Sequence, residues 1–106
     1  MSDNGMNDNI VLNVHVQAAP GQEKVLEQQL SALLEPTRAE PGCVAYELHG
    51  DPENPGKFMF HESFRGQAAL DAHLAAPHFK RFLDFRAAQT PDPVASAVVT
   101  KWKVIG

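Results

Sequence analysis

Residues 10–18 alternate between an aliphatic set and a second set that is polar except for Val11. Every second residue from Ile10 to Val16 is aliphatic, whereas Asn13 and His15 occupy alternate positions. Because successive side chains of a strand point to opposite faces, this spacing predicts a β-strand with one apolar face. Asn13 and His15 would then share the opposite, more polar face.

The spacing changes to a helical one over residues 22–39, where leucines recur every three to four positions. Pro36 lies inside this pattern. A proline removes a backbone donor, so we expect the last turn of the helix to be kinked or shortened. Pro41-Gly42 then marks the end of the helical segment.

The remaining chain continues the alternation of strands and helices. The pattern predicts strands at 43–49, 57–65 and 94–105, and helices at 67–75 and 77–88. The resulting β-α-β-β-α(α)-β order is typical of a ferredoxin-like α+β fold, with helices on one face of an antiparallel sheet. We expect a single domain over residues 10–106, preceded by a flexible N-terminal tail at 1–9.

Composition argues against several classes of partner. The chain has 9 basic and 13 acidic residues and a net charge of -4, which does not suit nucleic-acid binding. No apolar run approaches the ~20 residues needed to span a bilayer, and the first residues do not resemble a signal peptide. The only cysteine, Cys43, cannot form an internal disulfide. We therefore expect a cytoplasmic protein with no nucleic-acid or membrane partner.

The predicted sheet favours a homodimer. Helices would cover one face, while several strands carry apolar residues on both faces. A second copy of the chain would cover the exposed apolar surface. The alternative is a monomer whose second face is solvated, as antiparallel sheets allow.

Three stretches of the chain show a family resemblance. They are RAEPGCVAYEL at 38–48, FHESF at 60–64 and LDAHLAAPHF at 70–79. Together they resemble the antibiotic biosynthesis monooxygenase family over about residues 10–105. The resemblance implies a dimeric α+β barrel with a pocket between sheet and helices in each subunit. It also implies oxygenation of electron-rich phenols and quinols without metal or flavin, although some relatives degrade haem and others isomerise small phosphorylated sugars.

Several positions depart from the family pattern. Phe60, Phe64 and Leu70 stand where the better-understood oxygenases carry asparagine, tryptophan and tyrosine. The side chains of Phe60, Phe64 and Leu70 cannot donate a hydrogen bond to an oxygen intermediate. Leu83 stands where haem-degrading members carry an iron-binding histidine, which disfavours haem degradation. The fold therefore does not determine the reaction.

Three side chains are candidate catalytic groups. His73 faces the sheet from a small apolar helix and could take a proton from a phenol; alternatively, it fixes the helix by a hydrogen bond. Glu62 lies in a row of phenylalanines, where burial would raise its pKa; alternatively, it is a carboxylate held by donors. His15, with Asn13, could bind a ligand or could simply be exposed. His78 is expected at the surface or as a helix cap.

Aromatic side chains are candidates for the wall of a substrate pocket, or for plain core packing. With Asn13 as a polar contact, they are Tyr46, Phe60, Phe64, Phe79, Phe82 and Trp102. No histidine or cysteine motif has metal-ligand spacing, so we expect no metal. The family resemblance implies that no other cofactor is needed, and it favours a cofactor-independent monooxygenase of a small phenol- or quinol-like aromatic. A non-catalytic binding or stress-response module, or an isomerase, is the alternative.

Overall fold

The computed structural model describes residues 8–106. Its strands and helices follow in the order β1 (Asn9–Ala18), α1 (Glu23–Ser31), α2 (Leu34–Arg38), β2 (Cys43–Asp51), β3 (Asn54–Arg65), α3 (Gly66–Leu74), α4 (Pro77–Ala87) and β4 (Val94–Lys103). The flexible tail expected at 1–9 falls mostly on residues 1–7, which lie outside the described residues. Within the described part, no helix has the length and apolar character needed to cross a membrane.

The four strands form one antiparallel sheet in the order β2-β3-β1-β4. This confirms the predicted ferredoxin-like α+β fold. The register places Tyr46 opposite Glu62, Glu62 opposite Leu12, and Leu12 opposite Lys101. Because directly paired residues share a face of the sheet, these four side chains form one row across it.

The core lies between this face and the helices. Leu26 and Leu30 of α1 are fully buried against Phe58, Phe60 and Phe64 of β3. The alternate residues of the strands form the opposite face, which the helices leave uncovered. The side chains of β1 and β3 therefore alternate as predicted, between the face that packs against the helices and the face that they leave uncovered.

The helix predicted over residues 22–39 is two helices, and Pro36 explains the division. Its ring nitrogen cannot donate to the carbonyl of Ala32, and α1 has ended at Ser31. The amide of Leu33 instead donates to the carbonyl of Leu30 at 3.1 Å, which tightens the chain locally. Pro36 then occupies the first turn of α2, where a backbone N–H has no intrahelical acceptor, so its absence costs the helix no hydrogen bond. The break is earlier than the expected shortening of the last turn.

The β2–β3 hairpin is tighter than its turn-forming residues suggest. β3 begins at Asn54 rather than at residue 57, and β2 extends to Asp51. Asp51 Oδ1 accepts from the amide of Glu53 at 2.9 Å, and Asn54 Oδ1 accepts from the amide of Gly56 at 3.2 Å. These local hydrogen bonds satisfy the turn, so the strands pair almost to its tip.

Candidate functional site

A cavity of about 420 Å³ lies between the helix-covered face of the sheet and the helices. Its size falls in the range of small-molecule pockets, and its walls are mainly aliphatic and aromatic. They include Leu12, Val14, Val16, Leu30, Leu33, Phe60, Leu70, Phe79 and Phe82. The apolar residues that depart from the family pattern therefore do not fill this space: Phe60 and Leu70 line it, and Phe64 is fully buried.

His73 lines the cavity from α3 and is 2% exposed. Its ring stacks on Phe64 with centroids 4.9 Å apart and meets Phe79 at 5.2 Å. Its Nδ1 lies 3.0 Å from Oε2 of Glu40. Within residues 8–106, Nε2 of this ring has no hydrogen-bond partner. The imidazole is thus held at one edge and leaves one nitrogen uncommitted.

The backbone of α3 packs closely against the turn that carries Glu40. Gly42 follows Glu40 in this turn, and a Cβ at its position would overlap Ala69 Cβ. Ala69 lies one helical turn before His73 on the same side of α3. The absent side chain of Gly42 therefore lets His73 come within hydrogen-bond distance of Glu40.

Glu40 is a site residue that the sequence reasoning missed. Its Oε2 also lies 2.5 Å from Nε2 of His78, while its Oε1 is buried and has no partner among the described residues. His78 was expected at the surface or as a helix cap. Its side chain is instead 12% exposed and bonded to Glu40, and it does not cap α4. The signal available was indirect: the 38–48 string holds two acids, Glu40 and Glu47, and the 70–79 string holds two histidines.

Glu40, His73 and His78 could also be considered as metal ligands, since their donor atoms all lie within 4.8 Å of one another. Two imidazoles and a carboxylate are a common ligand set for transition metals. However, two ligands at ~2.1 Å from one ion are separated by about 3 Å or more. Glu40 Oε2 and His78 Nε2 lie 2.5 Å apart, closer than two ligands of one ion, which indicates that the two groups are hydrogen-bonded to each other.

Glu62 lines the same cavity from β3 and is 5% exposed. Burial raises the pKa of its carboxyl to about 7, and the charge of Glu40 adds to the shift. A carboxyl with this pKa exists in both protonation states near neutral pH. It can therefore accept or release a proton inside an apolar space.

Tyr46 lies beside Glu62 and stacks on Phe60 with ring centroids 4.8 Å apart. Burial, followed by the charge of Glu62, raises the pKa of its hydroxyl. The hydroxyl therefore stays protonated at physiological pH and remains a hydrogen-bond donor at the cavity wall.

Two cationic side chains at the cavity margin were also missed. Arg86 of α4 is paired with Asp92 at 2.9 Å, so its charge is compensated. Lys101 of β4 donates to Oε1 of Gln67 at 3.1 Å. Arg86 is half-buried and Lys101 is exposed, so nothing in the sequence distinguished them from other surface cations of amphipathic elements.

The predicted site residues divide between the two faces of the sheet. Six line the cavity: Tyr46, Phe60, Glu62, His73, Phe79 and Phe82. Asn13, His15 and Trp102 lie on the opposite face, where Asn13 Oδ1 is 3.3 Å from Nδ1 of His61. The structure therefore does not bring His15 together with His73 and Glu62.

Comparison with known proteins agrees with this architecture. The sequence profile described as "Antibiotic biosynthesis monooxygenase" matches residues 9–84. The chain belongs to this family.

Relatives of this family member support the assignment. The chain is 31% identical over 97 residues to "Uncharacterized protein sll1783" of Synechocystis. This match covers 92% of the chain and 63% of that protein. The chain is 37% identical over 68 residues to "Putative monooxygenase Rv0793" of Mycobacterium tuberculosis, covering 64% of this chain and 63% of that one. The matches thus span 63% of the length of each of these curated relatives.

The crystal structure of PA3566 from Pseudomonas aeruginosa superposes with a TM-score of 0.86 and 32% identity, covering 95% of this chain and 98% of that one. The structure of Rv0793 superposes with a TM-score of 0.77 and 28% identity, covering 92% and 96% of the two chains. The predicted family and fold are confirmed, and they support a monooxygenase-like function.

Proposed function

We propose that this protein is a cofactor-independent monooxygenase that acts on a small phenol- or quinol-like aromatic molecule. The observation that carries the proposal is that buried His73 and Glu62 share one apolar cavity of about 420 Å³. The cavity accepts a flat apolar ring, and the two ionisable groups offer it a proton acceptor. Membership of the monooxygenase family supports this choice of reaction.

The residues of the cavity suggest a division of roles. The aromatic ring of the substrate would lie against Phe60, Phe79 and Phe82, with its hydroxyl towards His73 and Glu62. Removal of the phenolic proton raises the electron density of the ring, which favours its reaction with oxygen. When a phenol with a hydrogen on its para ring carbon becomes a quinone, one atom of O2 becomes the new carbonyl oxygen. The other leaves as water, which takes the phenolic hydrogen and the hydrogen of that ring carbon. The substrate then supplies all the electrons, and no other reductant is needed.

Oxygen consumption tests this proposal. The intact protein is incubated with a panel of phenols and quinols in an oxygen electrode, alongside His73→Gln and the control His49→Gln. His49 is exposed on β2 and does not line the cavity. Loss of a general base lowers the rate by roughly 100-fold or more, so His73→Gln should lose uptake and His49→Gln should retain it.

Two results would count against the proposal. Full uptake by a folded His73→Gln variant would remove the role given to His73. If the wild-type protein binds aromatic ligands and consumes no oxygen with any of them, a non-catalytic binding module is the better description.

We also propose that the working form is a homodimer. On the sheet face that the helices leave uncovered, the side chains of Val98 and Trp102 are 57% and 55% exposed. Burial of such residues against a second copy is favourable at about 25 cal/mol per Å² of apolar surface. The cytoplasmic location expected from the sequence stays a prediction.

A further inference from the structure

We infer that Glu40 is the positioning residue that holds His73 in the Nδ1–H tautomer and thereby leaves Nε2 as its proton acceptor. The importance of this tautomer for catalysis rests on the proposed function. The tautomer itself does not, since it follows from the contacts of the ring. Glu40 need not touch the substrate, because it acts through His73.

The hydrogen bond to Glu40 determines which nitrogen carries the proton. Nδ1 of His73 lies 3.0 Å from Oε2 of Glu40, and an ionised carboxylate can only accept hydrogen bonds. Nδ1 must therefore carry the hydrogen. A neutral imidazole has one N–H, so the lone pair resides on Nε2.

The ring cannot easily exchange its two edges. His73 is 2% exposed, and its ring stacks on that of Phe64 with centroids 4.9 Å apart. The ring centroids of Phe79 and Tyr46 lie 5.2 and 5.5 Å from that of His73. A half-turn about the Cβ–Cγ bond would keep the ring in the same plane but would put Cδ2 in place of Nδ1 and remove the hydrogen bond to Oε2 of Glu40. The arrangement is the same one that orients catalytic and metal-bound histidines elsewhere, where a carboxylate binds the nitrogen that does not react.

His78 completes the anchor on the carboxylate side. Its Nε2 lies 2.5 Å from the same Oε2, so two imidazoles from two helices converge on one oxygen. A carboxylate oxygen has lone pairs for both donors. Glu40 thus joins the turn before β2 to α3 and α4, and the position of the His73 ring is tied to three segments of the fold.

The tautomer has a direct chemical consequence. With hydrogen on Nε2 instead, the ring would present a donor to the cavity, where a base must present an acceptor. Without Glu40, both tautomers become available and only one of them can take a phenolic proton. Substrate binding depends mainly on the apolar wall, so the defect should appear in kcat more than in KM.

Nitrogen-15 NMR of the intact protein measures the tautomer directly. In wild-type protein at a pH where His73 is neutral, we expect a protonated Nδ1 and an unprotonated Nε2. Glu40→Gln should produce a mixture of tautomers, because an amide can donate to Nδ1 as well as accept from it. Glu47→Gln is the matched control, since Glu47 contacts His49 at 2.8 Å on an exposed part of β2. This control should leave the His73 spectrum unchanged.

The activity measurement uses the same variants. With a substrate found in the oxygen screen, we expect Glu40→Gln to lower kcat by about tenfold or more and to change KM by less than about threefold. His78→Asn should keep the wild-type tautomer of His73, because the Glu40 contact remains. Rescue of kcat by Glu40→Asp would support a role for the carboxylate over a role for residue shape.

The outcomes separate this inference from the proposed function. A wild-type His73 with hydrogen on Nε2, or an unchanged tautomer in folded Glu40→Gln, overturns the positioning role even if oxygen is consumed. The expected tautomer without oxygen uptake on any substrate supports the positioning role and counts against the monooxygenase. If Glu40→Gln does not fold, the wild-type spectrum alone decides.

Discussion

Glu62 and Tyr46 are direct cross-strand partners whose side chains lie in one row beneath the helices. Burial raises the pKa of the Glu62 carboxyl to about 7. Burial also raises the pKa of the Tyr46 hydroxyl above its ordinary value. Near neutral pH, one partner changes its protonation state and the other remains a donor. The pair therefore makes both protein stability and cavity chemistry sensitive to pH.

The raised pKa of Glu62 predicts a loss of stability as pH rises. The folded protein holds this proton up to about pH 7, whereas the unfolded chain releases it near the ordinary value of 4.5. The folded state therefore binds more protons between these values, and the free energy of unfolding falls as pH rises through them. A shift of this size corresponds to about 3 kcal/mol.

Urea unfolding at pH 5 and pH 8 tests the sign. Glu62→Gln cannot ionise, so its stability should fall less over this interval than that of the wild type. The exposed acid Glu47, changed to glutamine, serves as the control and should keep the wild-type slope. Equal slopes for wild type and Glu62→Gln would show that Glu62 has an ordinary pKa.

Filling the cavity should abolish ligand binding without unfolding the protein. Ala97 lines the cavity from β4 and is exposed, so a tryptophan there can enter the space at low cost to the core. We expect Ala97→Trp to weaken the binding of 1-naphthol at least tenfold by fluorescence titration. Ala95→Trp, on the same strand and outside the cavity wall, should bind as the wild type does. Unchanged binding by Ala97→Trp would place the ligand elsewhere.

The contact between Gly42 and Ala69 should be sensitive to a single methyl group. A Cβ on Gly42 would overlap Ala69 Cβ, so Gly42→Ala should destabilise the fold by about 1–3 kcal/mol. Adding Ala69→Gly makes room for the new methyl group and should restore part of the lost thermal stability. A double variant no more stable than Gly42→Ala alone would mean that the two sites do not share this contact.

Trp102 should be needed for self-association. Trp102→Glu puts a charge on the uncovered face of the sheet, and we expect it to convert the proposed dimer to a monomer in light scattering after gel filtration. Val44 is also an exposed apolar residue, at 45%, and lies on the far edge strand β2. Val44→Glu should leave the mass unchanged. A monomeric wild type would contradict the dimer itself.

The order of elements could be predicted because each depends on local signals. Alternation identified β1 and β3, and Pro77 identified the first residue of α4. The boundaries that shifted depend on contacts between segments. Asn54 joins β3 because its backbone pairs with Asp51 across the hairpin, and no property of the isolated residue shows this.

The site was harder to predict than the fold. His73 and Glu62 could be singled out because each is an ionisable residue on an otherwise apolar face, which is unusual. A single segment of sequence is enough to show this. Glu40 could not be singled out, since its importance arises only when α3 and α4 bring two histidines to it. Alternation showed that Asn13 and His15 share a face of the sheet. Which face forms the cavity depends on where the helices pack, and the alternation does not show this.

Leu30 lies in the last turn of α1 and Leu33 lies in the break between α1 and α2, and both form part of the cavity wall. One end of the cavity is therefore made by a joint between two short helices, while the proton-carrying groups sit on the sheet and on α3. A change in the angle or length of this joint would alter the size of molecule that the cavity admits. Substrate size and reaction chemistry can then diverge independently within one scaffold.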